Sequence, residues 1–252
     1  FSRFYFLSND DLLSILSEAK DVMRVQPHFK KCFEAIDAVE FQEDLSITKM
    51  VSPEKEFVPM ETPIDPVGKN VEDWMLEVED MMRASIHHVM DLAIKDYSKC
   101  ERTLWMQKWP SMCVLNGSQM HWTLETEQFF ADKGPDGPGL MLEHQLAQLD
   151  AMVQLVRGDL PKAARTQVGA LAVIDVHARD VMMRLANDRI AEKADFAWMS
   201  QLRYYWHDDD LWTEMVAASR KYGYEYLGNS FRLVITPLTD KCYLTLMGAL
   251  QM

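Results

Sequence analysis

The chain has 252 residues, of which 48% are hydrophobic and 26% charged, so it can bury a substantial core in one large or two modest domains. Its formal net charge of −13 disfavours binding to DNA, RNA or anionic membranes, which such a surface repels. No run approaches the ~20 consecutive apolar residues that cross a bilayer. The charge and the lack of such a run together predict neither a nucleic-acid partner nor a membrane partner.

Two short helices and a β-hairpin are predicted at the start of the chain. Ser8 followed by Asp11 resembles a capping box and precedes an apolar stripe with helical spacing. Pro27 suits the first turn of a second helix. Residues 39–60 change to a shorter period on either side of SPE at 52–54, which predicts a hairpin, and its prolines place it at the edge of a sheet.

Helical spacing then dominates as far as about Trp206. The predicted helices cover residues 71–86, 104–109, 122–130, 140–156 and 160–185. Pro110 should start or kink the chain that follows it, Asn116-Gly117 is expected to interrupt the next stretch, and Asp159 is expected to cap the last helix. Residues 134–139 hold three glycines and two prolines, so they are predicted to form a mobile loop.

The acidic run His207-Asp208-Asp209-Asp210 marks the predicted boundary between two domains, residues 1–209 and 210–252. After it the pattern is strand-like at 222–226 and 232–236, and Thr239 or Asp240 is placed to cap a following helix. The predicted fold is therefore mainly α: an elongated helical rod with a small β-hairpin, ending in a short β segment that enters an α/β module.

The helical part is predicted to bury ten apolar residues. They are Leu12, Leu16, Phe33, Trp74, Val78, Leu146, Leu171, Ile174, Trp198 and Leu202.

Candidate catalytic and metal-binding groups are sparse. His207 beside three aspartates could bind a metal, but a solvated loop is favoured because no second ligand cluster has metal spacing. Asp175 and His177 could act in acid–base chemistry, but Asp175 and Arg179, four residues apart on a helix, favour a surface ion pair. The four cysteines have neither zinc nor disulfide spacing, which predicts reduced thiols. No catalytic and no metal-binding residue is predicted.

Five motifs resemble dynein heavy chains, in the order in which that family has them. Four are similar to the linker that lies across the AAA+ ring: RFYFLSNDDLL at 3–13, VQPH at 25–28, DVHARD at 175–180 and WMSQLRYYW at 198–206. The fifth, YGYEYLGNSFRLVITPLTDKCYLTL at 222–246, resembles the start of the first AAA+ module. The His-Ala-Arg-Asp wording is more similar to ciliary than to cytoplasmic dyneins, and the resemblance spans nearly the whole chain.

The resemblance implies that residues 1–209 are the C-terminal part of the linker and that residues 210–252 begin the first AAA+ module, short of its phosphate-binding loop. A linker bends and straightens as the ring changes nucleotide state. The chain is therefore expected to be a force-transmitting segment of an ATP-driven, microtubule-based motor in cilia or flagella. It is expected to have no ATPase activity by itself.

The resemblance also places six residues beside the adenine and ribose of bound ATP or ADP: Leu233, Val234, Ile235, Thr236, Pro237 and Leu238. Mg²⁺ and the phosphates would be held by residues outside this chain. The implied partners are the AAA+ ring of the same heavy chain, dynein intermediate or light chains, and microtubules. The microtubule is expected to be bound through another region, because tubulin's outer surface is itself acidic and repels this acidic segment. The implied location is the cytoplasm and cytoskeleton, in the axoneme of a cilium or flagellum.

The alternative is a non-catalytic, all-helical scaffold or adaptor protein. It accounts for the acidic charge, the helices and the missing catalytic motif, but it leaves YGYEYLGN and RLVITPLTD unexplained. A small metal-dependent hydrolase would need a ligand set that this sequence does not supply. A Gly-x-x-x-x-Gly-Lys-Ser/Thr motif within a few tens of residues after Met252 would decide for the motor.

Overall fold

A computed structural model describes residues 1–230 and 232–251 and divides the chain into two compact units. Unit 1 consists of Phe1–Leu92, Pro110–Met112 and Gly223–Asn229. Unit 2 consists of Ala93–Trp109, Cys113–Tyr222 and the described part of Ser230–Met252. The structure is mainly α, as predicted, with two small antiparallel sheets. None of the helices built from the described residues is both long and apolar enough to cross a membrane.

Unit 1 begins with short helical segments. The Ser8 hydroxyl accepts a hydrogen bond from the Asp11 N–H and starts α1 (Asn9–Glu18), as the capping pattern predicts. Pro27 lies in a 3-10 turn (Val22–His28) that runs directly into α2 (Phe29–Cys32), so it precedes the second helix instead of opening it.

The predicted hairpin is part of a three-stranded meander. Strands β1 (Ala38–Phe41), β2 (Ile47–Val51) and β3 (Phe57–Ile64) pair in that order, and the predicted hairpin is β2–β3. Its turn is closed by the Ser52 N–H, which donates to the Glu56 carbonyl at 3.0 Å. β3 holds Pro59 at the sheet edge, where the missing N–H costs no ladder bond. The long helix α3 (Val71–Asp96) then supplies core residues at helical spacing: Trp74, Met75, Val78, Met82 and Ile86 are fully buried.

Two predicted interruptions are helical in the structure. Helix α4 (Arg102–Lys108) is followed at Ser111 by α5 (Ser111–Lys133), which runs unbroken through Asn116-Gly117. Gly117 is used for close packing, since a Cβ there would lie 3.1 Å from the Trp105 ring. Residues 134–139 are not a loop as predicted but form a 3-10 turn (Gly134–Asp136) and the first turn of α6 (Gly137–Arg157), and their mobility stays a prediction. A Cβ on Gly137 would lie 2.5 Å from the Phe129 carbonyl oxygen, so glycine permits a tight turn between helices.

α6 packs beside α7 (Lys162–Asn187), whose N-cap is Pro161 and not Asp159. The one-turn helix α8 (Phe196–Met199) follows. The prediction that helical structure continues to Trp206 is wrong, because the chain forms a strand there. The three strands of the second sheet are β4 (Arg203–His207), β5 (Asp210–Met215) and β6 (Ala218–Lys221). Asp208 and Asp209 both have positive φ, 53° and 56°, as the two-residue β4–β5 turn requires. The domain boundary predicted at 209/210 falls in this turn and stays a prediction.

The core prediction is right for six of the ten residues. Phe33, Trp74, Val78, Leu171, Ile174 and Trp198 are buried, and Leu12 and Leu202 are half-buried. Leu16 and Leu146 were predicted wrongly, since they are 51% and 44% exposed. In α1 the fully buried residue is Ile15, one position away, which turns the buried face by about 100° from the one that Leu16 occupies.

Candidate functional site

The six residues predicted to contact adenine form the approach to the last helix. Residues 232–236 are not a strand, contrary to prediction: in the described part of the chain they pair with no other strand, and an extended segment becomes a strand only through such pairing. The same correction applies to residues 222–226. Residues 232–236 lead into α9 (Pro237–Gln251). Pro237 occupies the first helical position, for which its fixed φ is suited.

Thr236, and neither Thr239 nor Asp240, caps α9. The Thr236 N–H donates to Thr239 Oγ1 at 2.7 Å, and the Thr239 N–H donates to Thr236 Oγ1 at 3.4 Å. This reciprocal arrangement satisfies two backbone donors at the helix start and leaves the other first-turn N–H groups directed outward. A ready-made environment for negative charge results, since the helix dipole is positive at this end.

The apolar side chains before α9 are exposed. Leu233 is 70% exposed, Val234 64% and Leu238 71%, Thr236 and Pro237 are also exposed, and Ile235 is half-buried. A run of large apolar side chains left in solvent is typical of a surface that another group covers. The predicted site residues are therefore adjacent and accessible.

A cavity of about 310 Å³ in unit 2 lies beside this segment. Of the six predicted residues, Leu233 and Ile235 line it, and Val234, Thr236, Pro237 and Leu238 do not. The other walls come from α5, α7, the β4–β5 hairpin with the residues before it, Arg232 and α9. They are Ser118, Gln119, Trp122, Ile174, Asp175, His177, Ala178, Gln201, Leu202, Tyr204, Met215, Arg232, Asp240 and Tyr243. Sequence reasoning did not find these walls, because they are far apart in the chain.

The polar groups around this cavity are tuned by burial. Burial lowers the pKa of His177, and the nearby Asp240 carboxylate opposes this shift only in part, so the imidazole is neutral at pH 7. Burial also raises the pKa of the Tyr204 hydroxyl, which stays protonated. Arg232, Asp240 and neutral His177 give the cavity a mixed polar lining together with its apolar one.

The other candidate site residues form structural pairs. The prediction of a surface ion pair between Asp175 and Arg179 is wrong. Arg102 Nη1 and Nη2 donate to the two Asp175 oxygens at 2.7 and 2.9 Å. Arg179 pairs with Asp180 instead. Asp175 is only 9% exposed because it lies on the inward face of α7. Burial alone would lower the pKa of Arg102, but attraction to Asp175 outweighs it and raises that pKa. His177, two positions on, has no part in this pair.

The acidic run forms the turn between β4 and β5. His207 Nδ1 lies 3.1 Å from the Asp208 carboxylate, and the His207 ring stacks on Trp212 with centroids 5.0 Å apart. Among residues 1–230 and 232–251, no group of three or more His, Cys, Asp or Glu side chains is arranged to hold a metal ion.

Sequence reasoning also missed how firmly residues 223–229 are held in unit 1. Tyr226 and Asn229 are 0% and 3% exposed, and Tyr224 is 7% exposed with a φ of +54°. The alternating tyrosines of YGYEY were a signal of burial, but the partners of this segment are distant in the sequence. Glu56 bonds Tyr226 from 170 positions away, Ser111 bonds Asn229 from 118, and Arg3 bonds Glu225 from 222.

Two family models match the chain. Residues 1–93 match the model described as dynein heavy chain, N-terminal region 2, and residues 222–252 match the model described as the hydrolytic ATP binding site of the dynein motor region. The second match contains all six predicted adenine residues together with the start of α9.

Curated relatives match over the full chain. Human dynein axonemal heavy chain 3 is 51% identical over 254 residues, and rat dynein axonemal heavy chain 1 is 50% identical over 252, each covering 100% of this chain and 6% of the relative. Human dynein axonemal heavy chain 12 is 47% identical over 251 residues, covering 99% of this chain and 8% of the relative. The chain thus spans less than a tenth of the length of these relatives. Together, the two matched regions and the identity along the whole length show that this chain belongs to the dynein heavy-chain family.

Proposed function

We propose that this chain is a force-transmitting linker segment of an ATP-driven dynein motor, joined to part of the adenine side of its first nucleotide site. In this proposal residues 1–209 belong to the linker and residues 210–252 begin the first AAA+ module. The whole heavy chain hydrolyses ATP and moves along microtubules in the axoneme of a cilium or flagellum. Its partners are its own AAA+ ring, intermediate or light chains, and microtubules bound through another region.

One observation carries the nucleotide part of this proposal. The exposed residues Leu233 and Val234 directly precede a capped helix start, inside the region that matches the hydrolytic ATP site model. Apolar side chains can cover the faces of adenine, and the backbone groups of residues 233–235, which pair with no strand in the described part of the chain, can hydrogen-bond its edge. The α9 N-terminus adds a favourable dipole for the phosphates, while Mg²⁺ and the phosphate loop are supplied by residues outside this chain.

The linker part of the proposal follows from stiffness. α3, α5, α6 and α7 are long helices of 21 to 26 residues. Short connections join α5, α6 and α7, and residues 97–110, which contain α4, join α3 to α5. Long helices transmit displacement with little bending when their apolar faces are buried, and few connections leave few places to hinge.

The 252-residue chain alone is predicted to bind ATP too weakly to measure and to lack ATPase activity. Burying about 100 Å² of adenine contributes only ~2.5 kcal/mol, below the ~4 kcal/mol of a millimolar complex. Isothermal titration calorimetry and a phosphate-release assay check both points. Tight binding or turnover above buffer by residues 1–252 would contradict the proposal that the site is shared with the rest of the heavy chain.

The adenine assignment is tested in the full heavy chain with Val234→Asp. A carboxylate placed against adenine loses its hydration without a partner, so the KM for ATP should rise at least tenfold. Val67→Asp is the matched control, because Val67 is 53% exposed and Val234 64%, and Val67 belongs to unit 1 whereas Val234 belongs to unit 2. An unchanged KM in a folded Val234→Asp motor would refute the assignment.

A further inference from the structure

Residues 223–229, called here the anchored segment, belong to unit 1, whereas Tyr222 before them and Ser230 after them belong to unit 2. In the sequence only Ser230 and Phe231 separate Asn229 from Arg232. Because a chain spans at most ~3.6 Å per residue, the Cα atoms of Asn229 and Arg232 can be no more than about 11 Å apart. The hold of unit 1 on the anchored segment therefore limits where the following residues can lie.

The first anchor is at Glu225. Arg3 Nη1 and Nη2 donate to the two Glu225 carboxylate oxygens at 2.7 and 2.6 Å, which is the bidentate geometry of a strong pair. Arg3 also pairs with Glu79 at 3.1 Å and lies 4.7 Å from the centre of the Phe33 ring. The Arg3 side chain is only 12% exposed, and the hydrogen bond to Glu225 is the main cause that raises its pKa. The guanidinium is thus held on several sides and fixes Glu225 in turn.

The second anchor is a buried chain of hydrogen bonds around Glu56. Tyr226, fully buried, donates its hydroxyl to Glu56 at 2.7 Å, and the Ser111 N–H donates to the same carboxyl group at 2.7 Å. The Ser111 hydroxyl donates to Asn229 Oδ1 at 3.0 Å. Burial raises the pKa of Glu56, against the effect of these donors. Glu56 and Ser111 together fix both Tyr226 and Asn229, the last residue of the anchored segment.

The backbone of the anchored segment is strained. Tyr224 has a φ of +54°, a conformation that L residues with a large side chain rarely adopt, and its ring packs edge-on against His87 at 5.1 Å. Gly228 has a φ of +59°, and a Cβ there would lie 3.2 Å from the Cβ atoms of both Ala35 and Ser52. Such strain persists only where surrounding contacts impose it, and it concentrates at sites where position matters for function.

We propose that the anchored segment positions the nucleotide site, so that unit 1 regulates nucleotide affinity through the Arg3–Glu225 and Glu56–Tyr226 anchors. The inference rests on the proposed function, since it deepens the role of residues 232–238. Anchoring Asn229 narrows the range of positions open to the residues that contact adenine, which lowers the ordering cost of binding. Because coupling free energies are reciprocal, nucleotide binding in turn strengthens the hold of unit 1 on the segment. Arg3, Glu56, Glu225 and Tyr226 are then positioning residues that do not touch the nucleotide.

The test uses the full heavy chain and two variants, each with a matched control. Tyr226→Phe removes one hydroxyl bonded to a carboxylate at 2.7 Å, and Tyr205→Phe removes a similar bond to Glu127 at 2.6 Å in unit 2. Glu225→Gln neutralises a carboxylate that is 31% exposed and paired with a buried arginine. Glu214→Gln does the same for one that is 32% exposed and lies 3.8 Å from Arg203. KM for ATP, kcat and the thermal unfolding midpoint are measured for all four.

Both anchor variants should raise the KM for ATP about fivefold or more, the low end of typical coupling factors, with kcat within about twofold. The controls should leave KM unchanged even where they lower the unfolding midpoint as much as the anchor variants do. If the anchors were purely structural, their variants would lower the unfolding midpoints without a rise in KM at nearly constant kcat. That result would overturn the inference.

Glu225→Gln leaves Arg3 paired with Glu79, so it keeps the test usable if Tyr226→Phe fails to fold. Equal changes of KM in anchors and controls would also overturn the inference. If Val234→Asp raises KM but neither anchor variant does, only this inference fails. If Val234→Asp has no effect, the proposed function fails first.

Discussion

Breaking the buried pair between Arg102 and Asp175 is predicted to destabilise the protein far more than breaking an exposed pair. Both side chains are 13% exposed, and Arg102 donates to both oxygens of Asp175 and to Ser118 Oγ at 3.3 Å. Asp175→Asn leaves the guanidinium buried without a counter-charge. It should therefore lower the free energy of unfolding by about 3–5 kcal/mol.

Two further variants distinguish the cost of a buried unpaired charge from the contribution of the ion pair itself. Replacing both partners by apolar residues of similar size, Arg102→Met with Asp175→Leu, should cost much less than Asp175→Asn, because no unpaired charge stays buried. Asp180→Asn breaks the neighbouring pair with Arg179, whose side chains are 45% and 36% exposed. That change should cost ~1 kcal/mol or less, since exposed ion pairs contribute little.

The assay is urea unfolding of the 252-residue chain at pH 7, followed by far-UV circular dichroism at 0.1 M and 1 M NaCl. The effect of Asp175→Asn should change little with salt, because buried pairs are screened less than exposed ones. If Asp175→Asn cost no more than Asp180→Asn, the pair would be solvated. Asp175 would then be free for other chemistry beside His177, and the reasoning would be refuted.

Three further predictions concern packing and pH. Trp198→Ala should cost about 3–5 kcal/mol, because Trp198 is fully buried among Phe130, Val181 and their neighbours, and its indole N–H donates to Glu127. Unfolding curves check this, and a loss below ~1 kcal/mol would contradict it. Gly137→Ala should cost ~1–3 kcal/mol by overpacking. Gly139→Ala has open space and should be neutral or stabilising, so equal melting temperatures for the two would contradict the tight turn.

Burial lowers the pKa of His121 to about 4. The unfolded chain therefore takes up a proton that the folded chain resists, and stability should fall as the pH drops from about 6.5 to 4. His121→Gln should flatten that part of the pH profile of the free energy of unfolding. An unchanged slope in the variant would show that other groups cause it.

The sequence was sufficient to predict those features whose physical cause lies within a few residues of the chain. The capping serine before α1, the apolar stripe of α3 and the proline-bounded β2–β3 hairpin were all recognisable, because helix caps, amphipathic faces and turns depend on residues that are near in the chain. The family motifs were recognisable for the same reason, since each is a short contiguous run.

The failures share one cause, which is that a tertiary neighbour decided the outcome. Gly117 and Gly137 look like helix breakers but serve as close-packing positions against Trp105 and the Phe129 carbonyl. The run at 203–206 has a helical period but forms a strand because β5 is there to pair with it, whereas 232–236 has a strand-like composition but lacks a strand partner in the described chain.

The sequence alone determined the helical class, the main helices and the location of the nucleotide-site candidate, because these follow from periodicity and contiguous motifs. Only the tertiary structure decided which residues surround that candidate and which residues hold the preceding segment 223–229. The cavity beside Leu233 joins residues from α5, α7 and α9, and Arg3 reaches Glu225 across 222 positions of sequence. Contacts between residues so distant in the sequence depend on how the helices and strands pack together, and no local sequence pattern specifies that packing.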